Sequence, residues 1–197
     1  ATDPLSESFQ ALASGILQQV TAAGLGAQVE VRVTPEGVRV SMAGPLLFDT
    51  ASAELRPEAE PVLRAVARAI RARSEILVRV EGHADARPIR TFRYPSNWEL
   101  SSARAAAVIR RLMQLSGADG TRFTVVGYGD SRPARRGTSP EDLARNRRVE
   151  IHPQPAGGDP PAPTLIRHGS CMARAGGRGC GPSAVRRSWA LWWAWWC

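Results

Sequence analysis

The hydrophobic pattern of this chain changes period several times before residue 152, and each change marks an element of a different kind. Leu5, Phe9, Leu12, Ile16 and Val20 recur at spacings of three and four, which predicts a helix over 5–25 that stops at Gly24 and Gly26. Val29, Val31 and Val33 then alternate with polar residues, as do Val38, Val40 and Met42. The turn sequence Thr34-Pro35-Glu36-Gly37 lies between them, so a β-hairpin is expected. After Leu46-Leu47-Phe48-Asp49-Thr50, Pro57 suits a first helical turn, and Val62, Val66 and Ile70 share one face. Ile76, Val78 and Val80 alternate as a strand that runs into Gly82-His83-Ala84-Asp85. Ser96 and Glu99 form a capping-box pattern. Trp98, Ala105, Val108, Leu112 and Leu115 give the following helix its expected buried face, and Gly117 ends it. A strand over Phe123 to Tyr128, a short helix from Pro140 and a last strand through Val149 and Ile151 complete the pattern. The order α, β, β, α, β, α, β, short α, β predicts an α+β sandwich with its helices on one sheet face.

Three segments follow from this reading. Residues 1–45 are expected to be a connecting helix and hairpin, 46–152 the main domain, and 153–197 a Pro/Gly-rich linker and tail. The chain starts at Ala1 without methionine, so an upstream piece is expected to have been removed. No run of about 18 apolar residues is present to form a membrane helix. Arginine supplies all the positive charge: residues 1–155 hold 21 arginines against 17 acids. That is an ordinary soluble surface with a mild preference for an anionic polymer. No basic stripe with interleaved aromatics occurs, which argues against nucleic acid as a partner. All three cysteines, Cys171, Cys180 and Cys197, lie in the tail, so the body folds without disulfides. Five tryptophans fall between Ser188 and Cys197. The tail reads as disordered or as a reading-frame artefact, with an interfacial aromatic anchor as the alternative. The spacing of His168, Cys171 and Cys180 fits no zinc pattern, and neither metal nor other cofactor is expected.

Enzymatic motifs are missing as well. The sequence has no G-x-S-x-G, H-E-x-x-H or P-loop, and Gly127-Tyr128-Gly129-Asp130 is too short for a dinucleotide loop. A binding site is better supported. Asp85 lies just past a strand end, and Arg104 lies two turns into the next helix, beside its apolar stripe. Two readings stand open. The pair is a plain ion pair, or it is a clamp in which Asp85 accepts from a ligand ammonium while Arg104 holds a carboxylate. Arg147 and Arg148 lead into a strand, whose alternation sends them to opposite faces.

Four ordered segments carry a resemblance. They are Glu81-Gly82-His83-Ala84-Asp85, Asn97-Trp98-Glu99-Leu100-Ser101-Ser102-Ala103-Arg104-Ala105, Gly127-Tyr128-Gly129-Asp130-Ser131-Arg132-Pro133 and Ala144-Arg145-Asn146-Arg147-Arg148-Val149-Glu150. Over about residues 46–152 the chain resembles the OmpA-like family. The resemblance implies a mixed β-sheet with helices on one face and a non-catalytic site for the diaminopimelate-bearing stem peptide of peptidoglycan. It puts the site on Asp85, Arg104, Asn97 and Arg147. Arg87-Pro88-Ile89 and Pro95-Ser96-Asn97-Trp98-Glu99-Leu100-Ser101 are similar to the MotB subunits of flagellar-motor stators. That implies a periplasmic homodimer, a channel-forming stator A subunit as partner, and an inner-membrane helix outside this chain. A secretion-system anchor, or a dimerisation module with an inactive site, is the alternative. Ala84 stands where the family has threonine, which removes a hydroxyl able to contribute about 0.5–1.5 kcal/mol.

Overall fold

The computed structural model describes residues 4–155, with side chains from Glu7 onward. Helix α1 spans Pro4–Ala22 and leads into the hairpin of β1 (Val29–Thr34) and β2 (Gly37–Ala43). A single turn, α2 (Gly44–Leu47), and a longer helix, α3 (Glu60–Arg71), precede β3 (Ile76–His83). Then come α4 (Asn97–Ser116), β4 (Phe123–Gly127), α5 (Pro140–Asn146) and β5 (Arg148–Pro155). The strands form one mixed sheet in the order β1-β2-β5-β3-β4, with β3 and β4 parallel and the other pairs antiparallel. The α+β sandwich expected from periodicity is therefore present.

Alternation explains which face is covered. Val38, Val40, Met42, Val78, Val80, Val149 and Ile151 are each at most 1% exposed and join one core with Leu12, Ile16, Val66, Ile70 and Leu112 from the helices. At about 25 cal/mol per Å2, burial of such aliphatic side chains is the main favourable term. Two glycines set how closely α4 approaches. A Cβ on Gly82 would stand 2.1 Å from the Ser101 carbonyl, and one on Gly127 would stand 2.0 Å from Ser102 Oγ. The helix rests directly on the strand backbones there.

Three expectations need correction. Residues 1–45 are not a separate connector: Phe9, Leu12, Ile16 and Val20 enter the common core, and β2 pairs with β5 in the middle of the sheet. Trp98 is 50% exposed. It sits in the first turn of α4, which overhangs the sheet, so its ring faces the loop at Gly129 and not the core. Strand β5 continues to Pro155, past the boundary expected at residue 153, because its partner β3 begins at Ile76 and extends the ladder that far. The expectations for the tail concern residues 156–197, outside the described residues.

A charged cavity at the ends of β3 and β5

Where β3 ends, the Ala84 N–H donates to the Gly129 carbonyl at 2.7 Å, and the chain turns away from the sheet. Asp85 follows immediately and is 6% exposed. Its Oδ1 accepts from the Arg87 backbone N–H (3.1 Å). Its Oδ2 accepts from Arg87 Nη2 (2.8 Å) and from Arg147 Nη1 (2.6 Å). Burial alone would raise the Asp85 carboxyl, but the hydrogen bonds from Arg87 and Arg147 outweigh it and hold the group below the ordinary aspartate value. The carboxylate is thus charged, and one of its two arginine partners, Arg87, has a side chain 66% exposed.

Arg104 enters from the other side. Helix α4 is capped by Ser96, whose Oγ accepts from the Trp98 N–H and donates to the Glu99 carboxylate. Two turns on, Arg104 is 7% exposed and points under the loop that follows α2. Its Nε donates to the Ser52 carbonyl (2.8 Å) and its Nη2 to the Asp49 carbonyl (3.0 Å). The guanidinium also lies over the Phe48 ring, 5.1 Å from the centroid. Burial lowers its pKa, and the like charge of Arg147 acts in the same direction. No carboxylate among the described residues forms an ion pair with it, so Asp85 and Arg104 are not the plain ion pair.

Both groups nevertheless line one cavity of about 460 Å3, together with Asn97 and Arg147. All four residues expected from the sequence therefore converge. Asn97 has a supporting position: its Nδ2 donates to the carbonyls of Asp85 (3.2 Å) and Arg87 (3.0 Å), fixing the loop that presents the carboxylate. Arg147 is placed by a close approach, since the Gly44 N–H donates to its carbonyl at 2.7 Å and a Cβ on Gly44 would stand 2.9 Å from that oxygen. Asn146 clamps the preceding loop by exchanging two hydrogen bonds of 2.9 Å with the Arg135 backbone. Arg148 points to the opposite face, as alternation requires, and contacts Glu150.

The sequence reading left out the contributions of Phe48, Asp49 and Ser52. Two of these act through main-chain carbonyls, which leave no mark in side-chain identity. Ala51, at φ 55°, takes the left-handed turn that shapes this loop, an uncommon conformation for a residue with a side chain. Arg87 was visible in the sequence, but only its spacing of two from Asp85 hinted at the ion pair.

Comparison with known proteins agrees with this architecture. The OmpA family model matches residues 47–147. The uncharacterized protein YtxE of Bacillus subtilis is 39% identical over 127 residues, covering 64% of this chain and 52% of that protein. The chain spans about half the length of the first curated relatives it matches. Among solved structures, the cell wall anchor of the T6SS from Pseudomonas aeruginosa is 40% identical with a TM-score of 0.65, covering 71% of this chain and 96% of that one. A MotB-like protein from Desulfovibrio vulgaris is 26% identical with a TM-score of 0.69, covering 77% and 96%. With the mixed sheet, the four ordered motifs and these matches together, the chain belongs to the OmpA family and is related to MotB.

Proposed function

We propose that this domain binds peptidoglycan without covalent chemistry and anchors an envelope complex to the cell wall from the periplasm. One observation carries the reading: Arg104 is a buried cation held by neutral carbonyls, in the same cavity as an ionised aspartate. A buried charge without a counter-ion is costly, so such a site favours an anion that completes it. The diaminopimelate head carries a carboxylate and an ammonium on one carbon. The carboxylate meets Arg104, and the ammonium meets Asp85 by displacing the exposed Arg87 side chain. Arg147 keeps Asp85 charged, and Asn97 keeps its loop in place.

Retention on purified sacculi tests the assignment. The native chain is retained, and Arg104→Ala and Asp85→Ala are lost. Each charge-assisted hydrogen bond contributes about 1.5–3 kcal/mol, so each variant binds roughly 10- to 150-fold more weakly. Retention of all three alike refutes the assignment. A thermal melt of each variant guards against simple unfolding.

The 40% identity to the T6SS wall anchor supports a secretion complex as the anchored machine. The higher TM-score of the MotB-like structure supports a stator, with a channel-forming partner subunit, a homodimeric anchor and a membrane helix in the rest of the protein. A gene deletion separates the two, since it abolishes either secretion or swimming.

A further inference from the structure

We propose that Glu81, Glu150 and His152, with His83 beside them, form a binding site for a divalent transition-metal ion, zinc foremost, on the face of the sheet away from α1, α3 and α4. The register of β3 and β5 builds it. Glu81 stands directly opposite Glu150, Arg79 opposite His152, and His83 opposite Arg148. Like charges directly opposite each other across an antiparallel pair repel, so two facing glutamates need cations around them. Arginines supply this most closely at the Oε1 atoms. Arg79 Nε lies 2.9 Å from Glu81 Oε1, and Arg148 Nε lies 2.6 Å from Glu150 Oε1. The two Oε2 atoms converge on His152, with only the half-exposed Arg39 also near Glu150 Oε2.

The spacing there is the telling feature. His152 Nε2 stands 3.3 Å from Glu150 Oε2 and 3.6 Å from Glu81 Oε2, and His83 Nε2 stands 3.7 Å from Glu81 Oε2. Charge-assisted hydrogen bonds between such groups would be about 2.7–2.9 Å. By contrast, an ion with bonds of about 2.0–2.2 Å to imidazole nitrogen and carboxylate oxygen separates neighbouring tetrahedral donors by roughly 3.3–3.6 Å. The three ligand atoms of Glu81, Glu150 and His152 all lie within 4.8 Å of one another. The second observation is independent. His152 Nε2 and both ring nitrogens of His83 are buried without a hydrogen-bond partner, in residues only 7% and 3% exposed. Buried polar atoms are nearly always satisfied, and an ion bound between the two glutamates would satisfy His152 Nε2.

The surroundings fit a metal shell. Arg79 and Arg148 hold the outer oxygens of the carboxylates, the supporting arrangement that orients metal ligands. The His83 ring stacks on Tyr128 with centroids 5.3 Å apart, and Arg132 covers Tyr128 at 3.9 Å. Arg39 guards the entrance: its Nε is 3.6 Å from Glu150 Oε2 and its side chain is 46% exposed, free to swing into solvent as an ion arrives. A donor set of imidazole and carboxylate suits zinc, and nickel or cobalt(II) as substitutes.

The test uses the full chain with Cys171, Cys180 and Cys197 changed to serine, which removes the tail thiols as competing zinc ligands. After incubation with zinc and desalting, this chain is expected to carry one zinc per molecule by elemental analysis and to melt at a higher temperature than after chelation. Glu81→Gln and His152→Ala, made in the same background, lose the bound zinc and the zinc-dependent shift. Glu81→Gln preserves side-chain shape, and its near-UV circular dichroism reports that the fold is intact. Arg39→Ala, which removes the competing guanidinium, binds zinc several-fold more tightly. Absence of zinc from the cysteine-free chain overturns the proposal, and so does equal zinc content in Glu81→Gln and His152→Ala. Retention on sacculi is a separate readout, so failure here leaves the wall-binding assignment standing.

Discussion

On β5, Val149 and Ile151 face the helices and are at most 1% exposed, while Glu150 and His152 face the other way and are 7% exposed each. One strand therefore carries two nearly dry faces of opposite chemistry. The first is covered by α1, α3 and α4 and is apolar throughout. Among the described residues, none of α1, α3 and α4 covers the second. Its glutamates and histidines are covered by arginines and Tyr128, whose long side chains lie along the sheet. The lesson is that low exposure has two causes: one face is dry because elements pack on it, the other because its own side chains cover one another. The first should depend on shape, the second on charge.

Removing shape from the covered face is expected to do most harm. Ile151→Ala, at a position with no exposure, should lower stability by about 2–5 kcal/mol in urea unfolding, with little dependence on salt. If the loss falls below 1 kcal/mol, the covered face is not the main support of the fold. On the charged face, Arg148→Ala removes the cation 2.6 Å from Glu150 and should cost about 1–3 kcal/mol. The double variant Arg148→Ala with Glu150→Gln should recover part of that loss, since no buried charge is then stranded. A double variant as unstable as the single one would break the distinction between the faces. Gly82→Ala tests the boundary, because its added carbon presses on the Ser101 carbonyl. It should cost about 1–3 kcal/mol and weaken sacculus binding as α4 moves Arg104. Smallest at neutral pH is the loss of two hydrogen bonds in Asn97→Ala, about 1 kcal/mol in a melt, with a larger effect on wall retention.

Acid titration sharpens the comparison at the strand ends. The Asp85 carboxyl is depressed in the folded protein, so its contribution is present above the unfolded value of about 3.9 and is lost as pH falls through the folded value. Stability measured between pH 6 and pH 2 should therefore fall less steeply in Asp85→Asn than in the native chain. An unchanged slope would mean that the pairing with Arg87 and Arg147 does not favour the folded state.

The covered face was readable from sequence because burial against helices imposes a strict period, and Val78, Val80, Val149 and Ile151 keep it. The convergence of Asp85, Asn97, Arg104 and Arg147 was readable through motif order, although neither period nor propensity encodes a contact across 62 positions such as Asp85 with Arg147. The charged face was missed because Arg79, Glu81 and His83 alternate with apolar residues just as a solvated face would. Trp98 was misread because an aromatic at the start of an amphipathic helix looks like core, and only the overhang of α4 reveals otherwise. The Asp49 and Ser52 carbonyls that hold Arg104 could not be seen at all, since every residue has one.

The place of β5 in the sheet has a consequence for how the molecule is made. Strand β5 lies between β2 and β3, so until it leaves the ribosome no strand pairing joins the hairpin to the β3–β4 pair. The nascent domain must wait for its last residues before it can close, which leaves it open for as long as synthesis lasts. A chain stopped before Arg148 would be left with two separate sheet fragments.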